Sequence, residues 1–150
     1  GWYLSRPGFA WGAVRVAACW LGGISALLDY LREQVGKRHA ADPLRGYNLG
    51  RADVAHWSAE LAVNHAAAAI DADYAMSANR AWRLAERTRA VVAESAEVVL
   101  AQVGHALGPA PLAFDAEHAQ RVADLTLYLR QHHAERALSA HGGNLAGEPE

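Results

Sequence analysis

Apolar residues recur at helical spacing from the first part of the chain onward. Between Pro7-Gly8 and about Arg38 they fall on one stripe, with successive spacings of 4, 3, 1, 3 and 4 residues: Trp20, Ile24, Leu27, Leu28, Leu31 and Val35. The next segment holds Asp42-Pro43, Gly46, Asn48 and Gly50, a cluster that is typical of a loop. The pattern therefore predicts a first helix near residues 9–38 and a loop from His39 to Gly50.

Two further helices are predicted near residues 51–78 and 80–107. In the first, one face carries the positions that we expect to point into the core: Val54, Trp57, Leu61, His65 and Ala68. In the second, Val92, Ala96, Val99 and Val103 continue a stripe at spacings of 4, 3 and 4 residues. The glycines and prolines from Gly104 to Pro111 end this pattern.

A fourth helix is predicted near residues 115–140. Asp115 suits its N-cap, Phe114 before it suits a hydrophobic staple, and Glu117 and Arg121 form a favourable pair one turn apart. The inner stripe is predicted to contain Val122, Leu125, Leu129 and either His132 or His133. The helix is expected to stop at Gly142-Gly143, leaving residues 142–150 as a frayed tail.

Four long helices with short to medium connections predict an all-α fold, an antiparallel four-helix bundle that forms one domain over residues 1–150. Its stability is expected to depend on the stripe positions Trp20, Leu28, Trp57, Leu61, Val99 and Leu125. The chain is 52% hydrophobic, and much of that fraction is alanine, the best helix former. The start Gly1-Trp2-Tyr3-Leu4 contains no Met, so we expect the chain to be a C-terminal fragment of a larger protein.

Charge and cysteine content argue against several classes of partner. The net charge is −2, and 13 arginines and one lysine are interspersed with acidic residues, so no nucleic-acid partner is expected. The apolar run near residues 9–21 is broken by Gly12 and Arg15, which argues against a membrane span. The single cysteine, Cys19, lies in an apolar run, so a buried and inert thiol is expected. A cytoplasmic location is the prediction.

Motifs for the common kinds of catalytic or metal site are missing from the sequence. No glutamate is followed by a histidine three residues later, so neither a di-iron nor any other metal site is predicted. Gly22-Gly23 in the first helix favours close helix packing over phosphate binding. The adjacent His132 and His133 are the residues best suited to a catalytic role, because one of them can donate a hydrogen bond to a flavin or a substrate oxygen. The alternative is a polar, solvated helix end.

Four segments of the chain resemble the C-terminal helical domain of the acyl-CoA dehydrogenase superfamily of flavoproteins. They are Pro7-Gly8-Phe9 with Val16 to Gly22, Leu44 to Arg51, Gln102 to Gly108, and Phe114 to Arg121. In that superfamily the domain is a helical bundle that stacks on the flavin and supplies the oligomer interface. The resemblance implies a homo-oligomer that binds FAD in the complete protein, with an acyl thioester as a possible substrate.

The resemblance also implies roles for particular residues. By analogy, Arg45, Asn48, Gly50, Gln102 and Gly104 approach the FAD of a neighbouring subunit, since arginine suits a pyrophosphate and glycine allows close backbone approach. The alternative reading of these residues is an ordinary interhelical loop and a helix C-cap.

The position that holds the catalytic glutamate of most dehydrogenases in the superfamily corresponds to Arg130, and the alternative position lies near Gly12. Since arginine cannot act as a general base, the domain is expected to lack the usual catalytic glutamate. His132, His133 and Arg130 remain candidate catalytic residues, the histidines by analogy with flavin-dependent monooxygenases of the same superfamily. The 150 residues alone are expected to be inactive. The other alternative is a non-catalytic helical bundle that serves as an interaction module.

Overall fold

The computed structural model describes residues 6–37 and 42–147, and its regular structure is entirely helical. The six helices are α1 (Pro7–Lys37), α2 (Pro43–Ala72), α3 (Ala78–Leu107), α4 (Ala110–Phe114), α5 (Ala116–Leu129) and α6 (Ala134–Gly147). These two ranges contain no strand. The prediction of an all-α fold is confirmed.

The three long helices α1, α2 and α3 pack against one another, α5 packs on α1, and α6 packs on α3. The largest fully buried side chains all come from α1 and α3: Trp20, Ile24, Leu27, Leu28, Leu31, Val92, Val99 and Val103. Leu125 and Leu129 of α5 complete this cluster from one side. Each large apolar side chain buried in this way stabilises the fold by about 1.5–3 kcal/mol, so the core is built mainly by α1 and α3.

Helix α2 begins eight residues earlier than the 51 predicted from sequence, at Pro43. The Asp42 carboxylate accepts a hydrogen bond from the backbone N–H of Leu44 at 3.0 Å, and Pro43 occupies the first helical position. Asp-Pro, which the sequence pattern indicates as a loop, is here a helix N-cap followed by a favourable N1 residue. The predicted loop from His39 to Gly50 is therefore wrong from Pro43 onward, and residues 38–41 lie outside the described ranges.

The end of α2 and the start of α3 also differ from the prediction. Helix α2 ends at Ala72 rather than near residue 78, and the Asp73 N–H donates to the Ile70 carbonyl at 3.2 Å. Helix α3 begins at Ala78, and its N-cap is Ser77, whose hydroxyl accepts from the Arg80 N–H at 3.3 Å. The two helices are joined by the short segment 73–77, so they run antiparallel.

The face of α2 that points into the bundle is the opposite of the predicted one. Ala52, Ala59 and Ala66, seven residues apart, have no exposed surface. Trp57 and Leu61, both expected in the core, are 58% and 48% exposed. A row of alanines lets the backbones of two neighbouring helices approach closely, which a row of large side chains prevents. The predicted core face of α2, which also included Val54, His65 and Ala68, is therefore wrong.

The other predicted core positions are correct. Trp20, Leu28 and Val99 are fully buried, and Leu125 is 5% exposed. The stripe predicted for the last helix is also confirmed up to His132, which is buried, whereas His133 is exposed.

The predicted fourth helix is broken into α5 and α6 at Arg130–His133. Helix α5 ends at Leu129, and turn-like bonds follow, with the His132 N–H donating to the Leu129 carbonyl at 2.9 Å. Helix α6 then runs on to Gly147, so Gly142-Gly143 lies inside a helix and does not end it. The predicted frayed tail is therefore wrong for residues 142–147, and residues 148–150 lie outside the described ranges.

Around the start of α5, two of three local predictions are correct. The Asp115 carboxylate caps α5 by accepting from the His118 N–H at 3.0 Å. Glu117 and Arg121 form the expected ion pair. Phe114 is 90% exposed, so the predicted hydrophobic staple is wrong.

Within α1, the adjacent glycines Gly22 and Gly23 differ in their surroundings. A Cβ on Gly23 would lie 3.1 Å from Cδ1 of Leu125, whereas a Cβ on Gly22 would meet nothing within 4 Å. Close helix packing is thus confirmed at Gly23 and not at Gly22. Cys19 is exposed, so the expectation of a buried thiol is wrong.

Two helices, α1 and α3, are long and apolar enough to cross a membrane by length and composition. Helix α1 is also much longer than the apolar run near residues 9–21. The core helices of a compact bundle pass the same test, because their apolar stripes face the interior. This property carries no argument about location, and the cytoplasmic location stays a prediction.

Candidate functional site

The residues predicted to approach a flavin lie at one end of the α2–α3 pair. Arg45, Asn48 and Gly50 are in the first turns of α2, not in a loop. Gln102 and Gly104 are near the end of α3, and because the helices run antiparallel the start of α2 lies beside the end of α3. The structure thus brings the two predicted segments to the same end of the bundle.

The side chains in this group fit a polar ligand better than the glycines do. The Arg45 Nε lies 3.5 Å from the carboxylate of Asp42. The Gln102 Oε1 is buried and has no hydrogen-bond partner within residues 6–37 and 42–147. Gly50 and Gly104 are helical, so their amides are used within the helices. The Gly104 carbonyl accepts from the Gly108 N–H at 2.9 Å, and Gly108 has a φ of 69°, which is a helix C-terminal arrangement. Of the five predicted residues, only Arg45, Asn48 and Gln102 offer groups for binding a cofactor.

His132 lies in the break between α5 and α6 and is only 9% exposed. Its ring centroid is 5.8 Å from that of Trp20, and its Nε2 has no hydrogen-bond partner in the described residues. Burial lowers the pKa of His132 below that of a free histidine, and the nearby Arg89 lowers it further, while Glu86 and Glu135 oppose the shift. His132 is therefore neutral at pH 7.

A cavity of about 220 Å³ adjoins His132, and it is lined in part by Glu94, Glu97, Arg130 and Glu135. The Arg130 guanidinium forms an ion pair with Glu97 of α3. Within residues 6–37 and 42–147, no three His, Cys, Asp or Glu side chains come together as a metal site requires. No proton-transfer pair is formed at this cavity, because none of these carboxylates is hydrogen-bonded to His132 in the described ranges.

A serine and a histidine that the sequence did not single out meet between α1 and α2. The Ser25 Oγ lies 2.7 Å from Nε2 of His56 and also donates to the Leu21 carbonyl at 2.8 Å. Both residues lie in the middle of long helices, where backbone amides are already bonded and cannot stabilise an oxyanion. The pair is therefore a hydrogen-bonded link between two helices rather than a nucleophile with its base.

A second polar cluster ties α1 to the start of α5. The Tyr30 hydroxyl donates to the Asp115 carboxylate at 2.9 Å, and the His118 ring stacks on Tyr30 with centroids 4.3 Å apart. The backbone N–H of His118 and the Tyr30 hydroxyl hold the pKa of Asp115 below its usual range. Burial raises the pKa of Tyr30, with Asp115 adding to the rise, and burial lowers the pKa of His118. The cluster keeps the carboxylate charged and the histidine neutral at pH 7, as a structural cap requires.

The side of α2 that faces away from the bundle is the most unusual surface in the described ranges. We call it the outer face of α2, and it carries Tyr47, Val54, Trp57 and Leu61, whose exposed fractions run from 48% to 62%. A run of large apolar side chains along one exposed face is typical of an interaction site.

The two edges of the outer face differ in charge. On the α3 side, a groove of about 550 Å³ is lined by His65 of α2 and by Arg80, Arg83 and Arg87 of α3. We call Arg80, Arg83 and Arg87 the arginine row. Farther along the same side lie Arg51 and Glu94.

On the α1 side of the outer face, helical spacing places the three acidic residues that follow Arg51 in α2: Asp53, Glu60 and Asp71. We call them the acidic row. Its position is fixed by Asp53, whose carboxylate accepts from Arg32 of α1 at 2.6 Å. Arg32 offsets Asp53 on one edge and Glu94 offsets Arg51 on the other. The outer face is thus an apolar strip whose anionic edge depends on Glu60 and Asp71 and whose cationic edge depends on the arginine row.

No protein-family model matches the chain. No curated protein and no solved structure matches it either. The function proposed for the chain therefore rests on the geometry of these surfaces.

Proposed function

We propose that this chain is an oligomerisation module that binds a second copy of itself through the outer face of α2. The observation that carries the proposal is the inverted distribution of side chains on this helix. Alanines fill the buried positions Ala52, Ala59 and Ala66, and large apolar residues occupy the exposed ones. The strip from Tyr47 to Leu61 is about 21 Å long, which is long enough for a helix–helix interface.

A second copy suits this surface because the two edges of the strip carry opposite charges. A face with one cationic and one anionic edge is electrostatically complementary to another copy of itself. A net charge of only −2 gives the chain no general preference for a strongly basic or strongly acidic partner.

The test is the oligomeric state of variants in which an aspartate replaces an apolar residue. Leu61→Asp places a charge on the outward-pointing line of the apolar strip, at its C-terminal end, and we expect it to convert the dimer to a monomer in sedimentation. Leu127→Asp is the matched control, because Leu127 is 74% exposed on α5, away from this face, and should leave the dimer intact. Circular dichroism confirms that both variants are folded. A monomeric parent protein at high concentration would contradict the proposal.

A second candidate function is the FAD-binding domain of an acyl-CoA dehydrogenase-like flavoprotein that lacks the usual catalytic glutamate. It is supported by the buried acceptor Oε1 of Gln102, which no group in the described part of the chain bonds, at the same end of the α2–α3 pair as Arg45 and Asn48. On this reading the bundle has the fold of that superfamily's C-terminal domain, and self-association supplies part of the cofactor site. Arg130, already paired with Glu97, cannot serve as a base, and His132 is the residue left for proton transfer, as in the monooxygenase alternative.

Flavin binding tests this second candidate directly. Titration of FAD with the purified chain should quench flavin fluorescence, and Gln102→Ala with Arg45→Ala should abolish the quenching. Arg136→Ala is a matched control, since Arg136 is an exposed arginine on α6. Absence of quenching by a chain that is shown to be dimeric would contradict FAD binding by these 150 residues themselves and leave the oligomerisation module as their function.

A further inference from the structure

We infer that the two α2 helices in the dimer run parallel, related by a twofold axis along their length, with the acidic row of each copy over the arginine row of the other. The inference rests on the proposed self-association through the outer face of α2. It goes beyond that proposal because it fixes the direction of the partner and names the residues that meet.

The positions of the two rows follow from helical spacing. With about 100° between successive residues, the buried Ala59 defines the inward direction of α2. Glu60 then points about 100° to one side, which is the side of Asp53 and its partner Arg32 in α1. His65 points about 120° to the other side, where it lines the groove with the arginine row. The two rows therefore lie on opposite edges of the apolar strip.

Two kinds of twofold axis can pair one outer face with another. An axis perpendicular to the helices makes them antiparallel and brings each edge against the same edge of the partner, so acidic row meets acidic row and arginine row meets arginine row. An axis along the helices makes them parallel and brings each edge against the opposite edge. Like charges placed across an interface are unfavourable and opposite charges are favourable, so the parallel arrangement is selected.

The heights of the charges along the helix agree with the parallel arrangement. Ala69 and Arg80 line one end of the groove between α2 and α3, and Ala62 and Val91 line the other, so Arg87 is level with about residue 64 of α2. Glu60 is about 6 Å from that level along the axis, within reach of an arginine side chain.

A second pair lies two to three turns farther along. Asp71 is within about one residue of the level of Arg80. Arg80 already pairs with Asp73 of its own chain at 2.9 Å, so Asp71 of the other copy would join a small network there. Glu60 and Arg87, by contrast, are exposed and form no ion pair in the described ranges, which leaves both available to a partner.

Charge reversal tests the predicted pair. Glu60→Arg and Arg87→Glu should each weaken the dimer by about tenfold or more in dissociation constant, because each change places two like-charge contacts in a symmetric interface. The double variant should bind about as tightly as the parent. Arg136→Glu on α6 is the matched control and should have no effect. Two single variants that each weaken the dimer without restoration in the double variant would overturn the pairing.

Disulfide cross-linking tests the direction of the helices independently of charge. Gly50 and Ala68 lie nine residues on either side of Ala59, and nine residues turn the helix by about 900°, so both point straight outward. A Cβ on Gly50 meets nothing within 4 Å, so Gly50→Cys fits without a clash. The exposed Cys19 is first changed to serine, and each new cysteine is introduced separately.

Parallel helices place each new cysteine opposite its own copy, so Gly50→Cys alone and Ala68→Cys alone should both cross-link under mild oxidation. Antiparallel helices centred near Ala59 would cross-link only in a mixture of the two variants, and that result would overturn the inference while supporting the proposed function. A dimer in sedimentation that cross-links in none of these samples uses another surface, which would overturn both.

Discussion

Replacing each of the adjacent glycines of α1 with alanine tests how closely α5 packs on α1. Alanine is favoured over glycine by about 1 kcal/mol in a helix interior, and the space around Gly22 is open. Gly22→Ala should therefore raise the free energy of unfolding by about 1 kcal/mol. At Gly23 the new methyl group would lie 3.1 Å from Cδ1 and 3.5 Å from Cδ2 of Leu125.

Leu125 has little room to move, because it is 5% exposed and belongs to the main core. Forcing an extra methyl group into such a contact costs about 1–3 kcal/mol. The higher helix propensity of alanine offsets about 1 kcal/mol of this cost. The Gly23→Ala protein should therefore be as stable as the parent or up to about 2 kcal/mol less stable. The expected difference between the two alanine variants is thus about 1–3 kcal/mol.

The assay is urea denaturation followed by circular dichroism, with a double-mutant cycle that includes Leu125→Ala. In the Leu125→Ala background the obstructing side chain is gone, so Gly23→Ala should gain about 1 kcal/mol, as Gly22→Ala does. If Gly23→Ala stabilises the parent protein as much as Gly22→Ala does, the close approach of α5 to α1 at this point is refuted.

Three further results are expected. Leu61→Ala should lower the free energy of unfolding of the monomer by well under about 1 kcal/mol, because Leu61 is half exposed, and Leu28→Ala should lower it by about 2–5 kcal/mol, because Leu28 is fully buried. Denaturation at low protein concentration measures both losses, and equal losses would contradict the orientation of α2. Burial lowers the pKa values of His118 and His132, so the unfolded chain binds more protons than the folded one, and the free energy of unfolding should fall as pH drops below about 6.5. Replacing both histidines should flatten the dependence of stability on pH in this range. Cys19 should react with a thiol reagent in the folded protein as fast as in urea, since it is exposed, and protection in the folded state would place it in an interface.

The parts of the fold that the sequence predicted correctly are those with dense, large apolar side chains. The stripe containing Trp20 and Leu28 and the stripe containing Val99 leave only one face of α1 and α3 suitable for the core. The Asp115 cap was also predictable, because the hydrogen bond from an N-cap carboxylate is local and depends on no distant contact.

The orientation of α2 could not be predicted by ranking hydrophobicity. Trp57 and Leu61 are more apolar than Ala59, yet the alanine faces the bundle, since the spacing between neighbouring helices decides which side chain fits. One signal was present: alanines spaced seven residues apart from Ala52 to Ala66 mark a line of close approach. The outer face of α2 is exposed only because the alanines face the bundle. A prediction that reverses the orientation of α2 therefore also misses this face as a candidate site.

The break between α5 and α6 has no local signal either. The segment from Arg130 to His133 contains neither proline nor glycine, and a continuous helix was the natural expectation. In the folded chain, His132 packs beside Trp20 and Arg130 pairs with Glu97, which are contacts between distant parts of the sequence. The predicted flavin residues illustrate the same limit, because Arg45 and Gln102 reach the same end of the bundle only through the antiparallel pairing of α2 and α3.

Because α2 contributes alanines to the interior, separating it from the bundle exposes less apolar area than separating α1 or α3 would. The large side chains of the core, from Trp20 to Val103, remain together when α2 leaves. Local opening of α2 is therefore the least costly large fluctuation of the monomer, and its backbone amides should exchange hydrogen with solvent sooner than those of α1 and α3. A partner that binds α2 only when α2 is packed against the bundle suppresses this opening by mass action. Hydrogen exchange in α2 should slow as the protein concentration rises, so the helix would become fully ordered only in the assembled protein.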